Sequence, residues 1–154
     1  MCLYTRQIWL RKARKPLTGY KFVVVEDNMR FSPYFGSAAI PSPCLSGEQR
    51  YEPKTKSRLE YNHVERMFMA NGGFIHFYTD IIAAKCAMTD YCLQNRGQGL
   101  RVELWEIQVP KRTKSALGSH GSQISGPVDK ESIYWGTCGA AHAIKFIKKI
   151  NMDE

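Results

Sequence analysis

Residues 73–94 read GFIHFYTDIIAAKCAMTDYCLQ, the most ordered-looking stretch of this chain: a short aromatic strand, a turn and a helix. The first six residues alternate as a strand does, putting Phe74, His76 and Tyr78 on one face and Ile75 and Phe77 on the other. Thr79 suits an N-cap, and Asp80 suits the positive end of a helix dipole. From Asp80 to about Gln94, the apolar positions Ile81, Ala84, Met88, Tyr91 and Cys92 recur at the spacing of one helix face. NRGQG ends the run, its glycines supplying a C-cap or a tight turn. With a single amphipathic helix, the other apolar residues must be buried by strands. The expectation is an α+β fold: a small mixed or antiparallel sheet of five or six strands with one principal helix, about 80–94.

The strands are short apolar runs bounded by turn residues. YKFVVV (20–25) is β-branched and continuous, the pattern of a buried strand. EDN then marks a turn, and MRFSPYFG (29–36) a short aromatic segment stopped by Pro33 and Gly36. LEYNHVERMFM (59–69) fits a helical turn or an edge strand. LRVELWEIQV (100–109) is a strand whose apolar phase changes midway, from Leu100, Val102 and Leu104 to Trp105, Ile107 and Val109. That predicts a bulge near 104–105, or a strand crossing from one core to another. SIYWGT (132–137) and AHAIKFIKKI (141–150) complete the chain, the second read as a strand from its β-branched alternation. Residues 37–58 and 115–130 are read as long loops, and residues 1–19 as a basic lead-in arm. All belong to a single domain, 1–154, without repeats.

Charge and cysteine use narrow the class. The chain holds 22 Lys+Arg against 14 Asp+Glu, a net +8 that favours acidic partners. Arg6, Arg11, Lys12, Arg14, Lys15 and Lys21 occur with no acid among them; Lys111, Arg112 and Lys114 form a second cluster, and Lys145, Lys148 and Lys149 a third. The five cysteines are widely spaced with no C-x-x-C, which argues against a disulfide framework or zinc ribbon and for a reducing compartment. MCLYTRQIWLRKARK places its charges behind a very short apolar start, unlike a secretory signal. No stretch approaches the roughly 20 apolar residues of a membrane span. A cytoplasmic protein with no membrane partner is expected.

Catalytic motifs are missing: there is no G-x-S-x-G, Walker motif, G-x-G-x-x-G or H-E-x-x-H. His76, between two aromatics, reads as a ligand or general base, or as a hydrogen-bonded core histidine. No second His, Cys or carboxylate sits at ligand spacing, which favours the core and predicts no metal. Tyr4, Trp9, Tyr20, Phe31, Tyr34 and Phe35 interleave with the N-terminal cations, a pattern compatible with base stacking and phosphate contacts.

Two resemblances bear on function. FYTDIIAAKCAMTDYC, followed by a glycine turn and a long strand, resembles the strand–helix segment of ADP-ribosyltransferases, including poly-ADP-ribose polymerases, over residues 72–109. That resemblance implies NAD or ADP-ribose as ligand and an aromatic ring from Phe77 or Tyr78 on the nicotinamide; a pocket without activity could still hold a nucleotide by that stacking plus a cation such as Lys21 or Arg101. The chain departs from the family upstream, where a His-Gly-Thr strand should lie but Lys21-Phe22-Val23 stands, His63 being the upstream histidine. The late glutamate has only Glu103, Glu106 and Glu131 as unmarked candidates. The Met-Cys-Leu start, the Ser32-Pro33-Gly36 turn and Gly-Phe-x-His-Phe before a helix resemble small phage and bacterial proteins, which implies a viral accessory role.

The reading taken forward is a non-enzymatic binding module, with no catalytic residue and no cofactor, that occupies a host protein or a small acidic ligand. His76, Phe77, Tyr78, Lys21 and Arg101 are its candidate ligand residues. Arg6, Arg11, Lys12, Arg14 and Lys15 are its candidate contacts to an anionic partner. An ADP-ribosyltransferase-like enzyme or an inactive nucleotide-binding relative is the alternative, and a nucleic-acid binder the third.

Overall fold

The computed structural model describes residues 3–27, 29–33, 39–40, 49–51, 58–70, 74–120 and 136–152. The strands in chain order are β1 (Leu3–Thr5), β2 (Arg11–Lys12), β3 (Leu17–Glu26), β4 (Met29–Phe31), β5 (Ala39–Ile40), β6 (Gln49–Tyr51), β7 (Glu60–Asn62), β8 (Met67–Ala70) and β9 (Ile75–Tyr78). The helix α1 (Ile81–Gln94) follows, and then β10 (Arg101–Val109), β11 (Lys114–His120), β12 (Cys138–Ala141) and β13 (Ile144–Ile150). The fold is α+β with one principal helix, as expected. The sheet is larger than expected: thirteen strand segments among the described residues, not five or six.

The sheet runs β6–β13–β10–β3–β9–β12–β11–β1–β8–β7, and each pairing among the described residues is antiparallel. β3 and β10 form its spine, in continuous register from Arg101 opposite Val25 to Val109 opposite Leu17. The other edge of β3 forks. Tyr20 pairs with Tyr78 of β9, while Val24, Val25 and Glu26 pair with β4.

Each sheet face carries its own core. On the α1 side, Phe22, Tyr78 and Leu104 pack with Ala83, Ala84 and Met88 of the helix, and the Tyr91 ring lies 5.7 Å from that of Phe22. On the far side, Val23, Ile75, Phe77, Trp105, Ile107, Val109, Ile144 and Phe146 pack together. The alternation in 74–78 therefore separates Phe74 and Tyr78 from Ile75 and Phe77 as the sequence implies. β10 does cross from one core to the other: Leu104 belongs to the first, and Trp105, Ile107 and Val109 to the second. The register break lies between Glu106 and Ile107 and only against β13, where Ile147 is the extra residue, so it is not in β10 near 104–105.

Local chemistry corrects several boundaries. Asp80, not Thr79, is the N-cap, its carboxylate accepting from the Ile82 N–H at 2.7 Å. On the helix, Ala83 joins Ala84 and Met88 inside, Ile81 is half-buried, and Cys92 is exposed. Residues 59–69 resolve as a hairpin of β7 and β8, since Asn62 Oδ1 accepts from the N–H groups of Val64 and Glu65 and holds the turn. The long loop at 37–58 contributes β5 and β6, its other residues lying outside the described set apart from Arg58. In the second loop, 115–120 is strand β11, and 121–130 lies outside the described residues.

The basic lead-in is not a free arm. β1 and β2 both pair with β11, and the Thr5 hydroxyl, fully buried, donates to the Leu117 carbonyl at 2.7 Å. Gln7 continues the strap: its side-chain oxygen accepts from the Leu117 N–H at 2.9 Å. Gly118 makes this approach sterically feasible, because a Cβ there would overlap the Tyr4 carbonyl oxygen.

Candidate functional site

The expected ligand residues divide between core and surface. Phe77 is fully buried, its ring lying over Gly19 of β3 and Gly139 of β12, where a Cβ on either glycine would collide with it. Tyr78 and His76 are 9% and 6% exposed, so none of the three offers a ring face to a ligand. All three are core residues, the position the sequence favours for His76, and the ligand platform expected of them has no exposed ring. The sheet explains why: β9 is covered on both faces, with β12 on one edge and β3 reaching the other at Tyr78.

Lys21 is also inside, at 4% exposure. Its Nζ donates to the His76 carbonyl at 2.7 Å and to the Ser32 hydroxyl at 3.2 Å, filling the fork where β3 leaves β9 for β4. The two strands diverge here, and the ammonium bridges them by donating to an acceptor on each side. Neither acceptor is charged, and burial pushes the amine down to about 7. Lys21 serves the sheet at this point, not a ligand at the surface.

Beside it lies a polar centre that the sequence did not single out. On the face opposite α1, Lys21, Trp105 and Lys149 are cross-strand partners over β3, β10 and β13, and Arg30, Val25 and Arg101 form a second row over β4, β3 and β10. Glu103 sits between the rows, 5% exposed. One carboxylate oxygen accepts from Arg30 Nε at 3.3 Å and Trp105 Nε1 at 3.2 Å; the other accepts from Arg101 Nη2 and Lys149 Nζ, each at 3.2 Å. Burial pushes the Glu103 carboxyl up, but the bonds from Trp105 and Lys149 and the charges of Lys149 and Arg30 outweigh it and hold it below its usual value. A glutamate in the inward register of Trp105, Ile107 and Val109 was the available signal for this centre. Arg101, expected on a ligand, is here an outward-reaching partner of Glu103 with its side chain 69% exposed.

The surface cations are where the topology does most. Lys12 of β2 stands directly opposite Lys114 of β11. The ladder extends past them, with Ala13 N–H donating to the Thr113 carbonyl at 3.3 Å and Arg112 N–H to the Ala13 carbonyl at 2.8 Å. Arg11, Lys12, Arg14 and Lys15 from one strand thus meet Lys111, Arg112 and Lys114 from the other, and all seven are exposed. No ion pair joins any of them to a carboxylate among the described residues. Ile8 and Trp9 lie in the strap just before, 62% and 66% exposed. Arg6 is exposed at the start of the strap. The third basic cluster differs: Lys149 is bonded to Glu103, and Lys148 stands opposite Glu106.

Among the described residues no group of three His, Cys, Asp or Glu side chains is placed to hold a metal ion, and no helix is long and apolar enough to cross a membrane. Cys86, Cys92 and Cys138 are free thiols. No protein-family model, curated protein or solved structure matches the chain. The likenesses to ADP-ribosyltransferases and to phage proteins therefore stand on the quoted residues alone.

Proposed function

We propose that this protein is a non-enzymatic binding module that holds a polyanion along the seam between β2 and β11, and that the chemistry the seam fits is single-stranded nucleic acid. The observation that supports this is the register of Lys12 against Lys114. Like charges directly opposite in a sheet are destabilising, and an anion laid between them relieves the repulsion. The flanking cations extend the track in both directions, and exposed Trp9 supplies a stacking surface. A viral accessory protein acting on a host component is consistent with such a module. The NAD or ADP-ribose alternative loses support from the enclosure of Phe77 and the burial of Tyr78, which leave no ring for the nicotinamide.

The test is fluorescence anisotropy with a labelled single-stranded oligonucleotide over a salt series. Binding that neutralises four phosphates should give a log–log salt slope of about −3, and Lys12→Ser with Lys114→Ser should reduce that slope by about 1.4. Trp9→Ala should weaken binding by roughly tenfold without changing the slope. Unaltered affinity in the double variant would remove the seam from the reading. Failure to bind nucleic acid at low salt, with capture of an acidic protein instead, would move the partner to a protein. Calorimetry with NAD and with ADP-ribose should show no heat of binding.

A further inference from the structure

The Glu103 centre has more cationic charge than its carboxylate can match. Arg30, Arg101 and Lys149 bear three positive charges on one negative, a local excess of two. The two oxygens of Glu103 already accept four donors, the practical limit of a carboxylate. Arg30 remains incompletely satisfied. Its guanidinium lies 4.8 Å from the Trp105 ring centroid with the side chain 4% exposed, and its Nη1 is buried without a hydrogen-bond partner among the described residues. A buried charged donor left unbonded is costly, and Glu103 has no lone pair to spare for it. An acceptor with negative charge is the missing component.

The rim of this centre is exposed and its floor is buried. Arg101 and Lys149 reach Glu103 from outside, with side chains 69% and 51% exposed, so both can turn from the carboxylate to an arriving anion without disturbing the core. The buried partners are rigid by comparison: Arg30 is fixed by the Trp105 ring and Trp105 by its bond to Glu103. We propose that this centre is a second anion site, separate from the β2–β11 seam, which takes a phosphate group through Arg30 Nη1 with Arg101 and Lys149 closing over it. A tetrahedral phosphate has acceptors enough to bridge a buried guanidinium and two rim cations, and planar guanidinium N–H donors suit it. Free phosphate and a phosphate ester of a small molecule share this chemistry.

The experiment titrates inorganic phosphate, and in a parallel arm a nucleoside monophosphate, into a protein carrying Trp9→Phe and Trp135→Phe, so that Trp105 reports by fluorescence. Thermal melts of the unmodified protein accompany it, with sodium chloride at matched ionic strength as the blank. Phosphate should change Trp105 emission and raise the melting temperature above the chloride blank. Arg101→Ser and Lys149→Ser, both at exposed positions, should each weaken the effect by about tenfold, the loss typical of one charge-assisted hydrogen bond. Lys12→Ser with Lys114→Ser should leave it unchanged, which separates this site from the seam. Tighter binding of the nucleoside monophosphate would assign the source as an ester, and equal binding would assign the free anion. No response beyond chloride, or the same response in both rim variants as in the parent, would overturn the proposal and assign the Arg30 Nη1 donors to water.

Discussion

A lysine in the middle of YKFVVV is bound to influence how the protein responds to pH. Burial holds the Lys21 amine at about 7 in the fold, against 10.5 for an ordinary lysine. Below about pH 7 folded and unfolded chains both carry the proton, and Lys21 adds no pH dependence. Between about 7 and 10.5 only the unfolded chain binds it, so stability rises with pH across that window and levels off above it. The full rise attributable to Lys21 is about 5 kcal/mol at most. Urea midpoints at pH 6.5, 8 and 9.5 should climb in the parent and stay nearly level in Lys21→Met; parallel profiles for the two proteins would sink the assignment. Gly139 offers a second single-residue check. Gly139→Ala drives a Cβ into the enclosed Phe77 ring and should cost about 1–3 kcal/mol, read from the same melts. Lys21 and Glu103 were both visible in the sequence as charges at inward positions of apolar strands. Their partners were not, because Arg30 and Lys149 come from other strands, and Ser32 from just beyond one, and no local pattern specifies that register.

The helix was legible in its existence and extent, from a fourteen-residue run between Asp80 and the glycines after Gln94, while its cap and part of its buried face were not. Met88 sits in its buried stripe at 6% exposure, and Ile82 on the outer side at 62%. Met88→Asp places an unpaired charge in the core and should unfold the domain, a loss of several kcal/mol, whereas Ile82→Asp should melt close to the parent. Asp80→Ala removes the cap and should lower stability by about 1 kcal/mol. A stable Met88→Asp protein in a thermal scan would mean the helix packs by another face. The short strands were illegible for the opposite reason. β2 and β5 are two residues long and β1, β4, β6 and β7 three, too few to display alternation, and they exist only because a longer neighbour offers an edge. The strap's charge suggests an arm, and its strand character rests on Thr5 and Gln7 bonding β11 more than a hundred residues away.

For the molecule as a whole, the seam is a product of connectivity: two basic clusters distant in the sequence become neighbours only when the strap docks. Gly118 is the tightest point of that docking. Gly118→Val should lift residues 3–12 off β11, seen as faster amide exchange there with protection retained in β3 and β10, and oligonucleotide affinity should fall with it. Retained affinity with a detached strap would show that the cations act without the register. The same connectivity has a consequence during synthesis. The Thr5–Leu117 bond spans 112 positions, so β1 must wait for the synthesis of β11 before it can pair there. At roughly 5–20 residues per second, that wait lasts about 6–20 s. Throughout it the strap's arginines and lysines lie undocked near the RNA of the ribosome that is making them, and the strap reaches its place only by leaving that competitor.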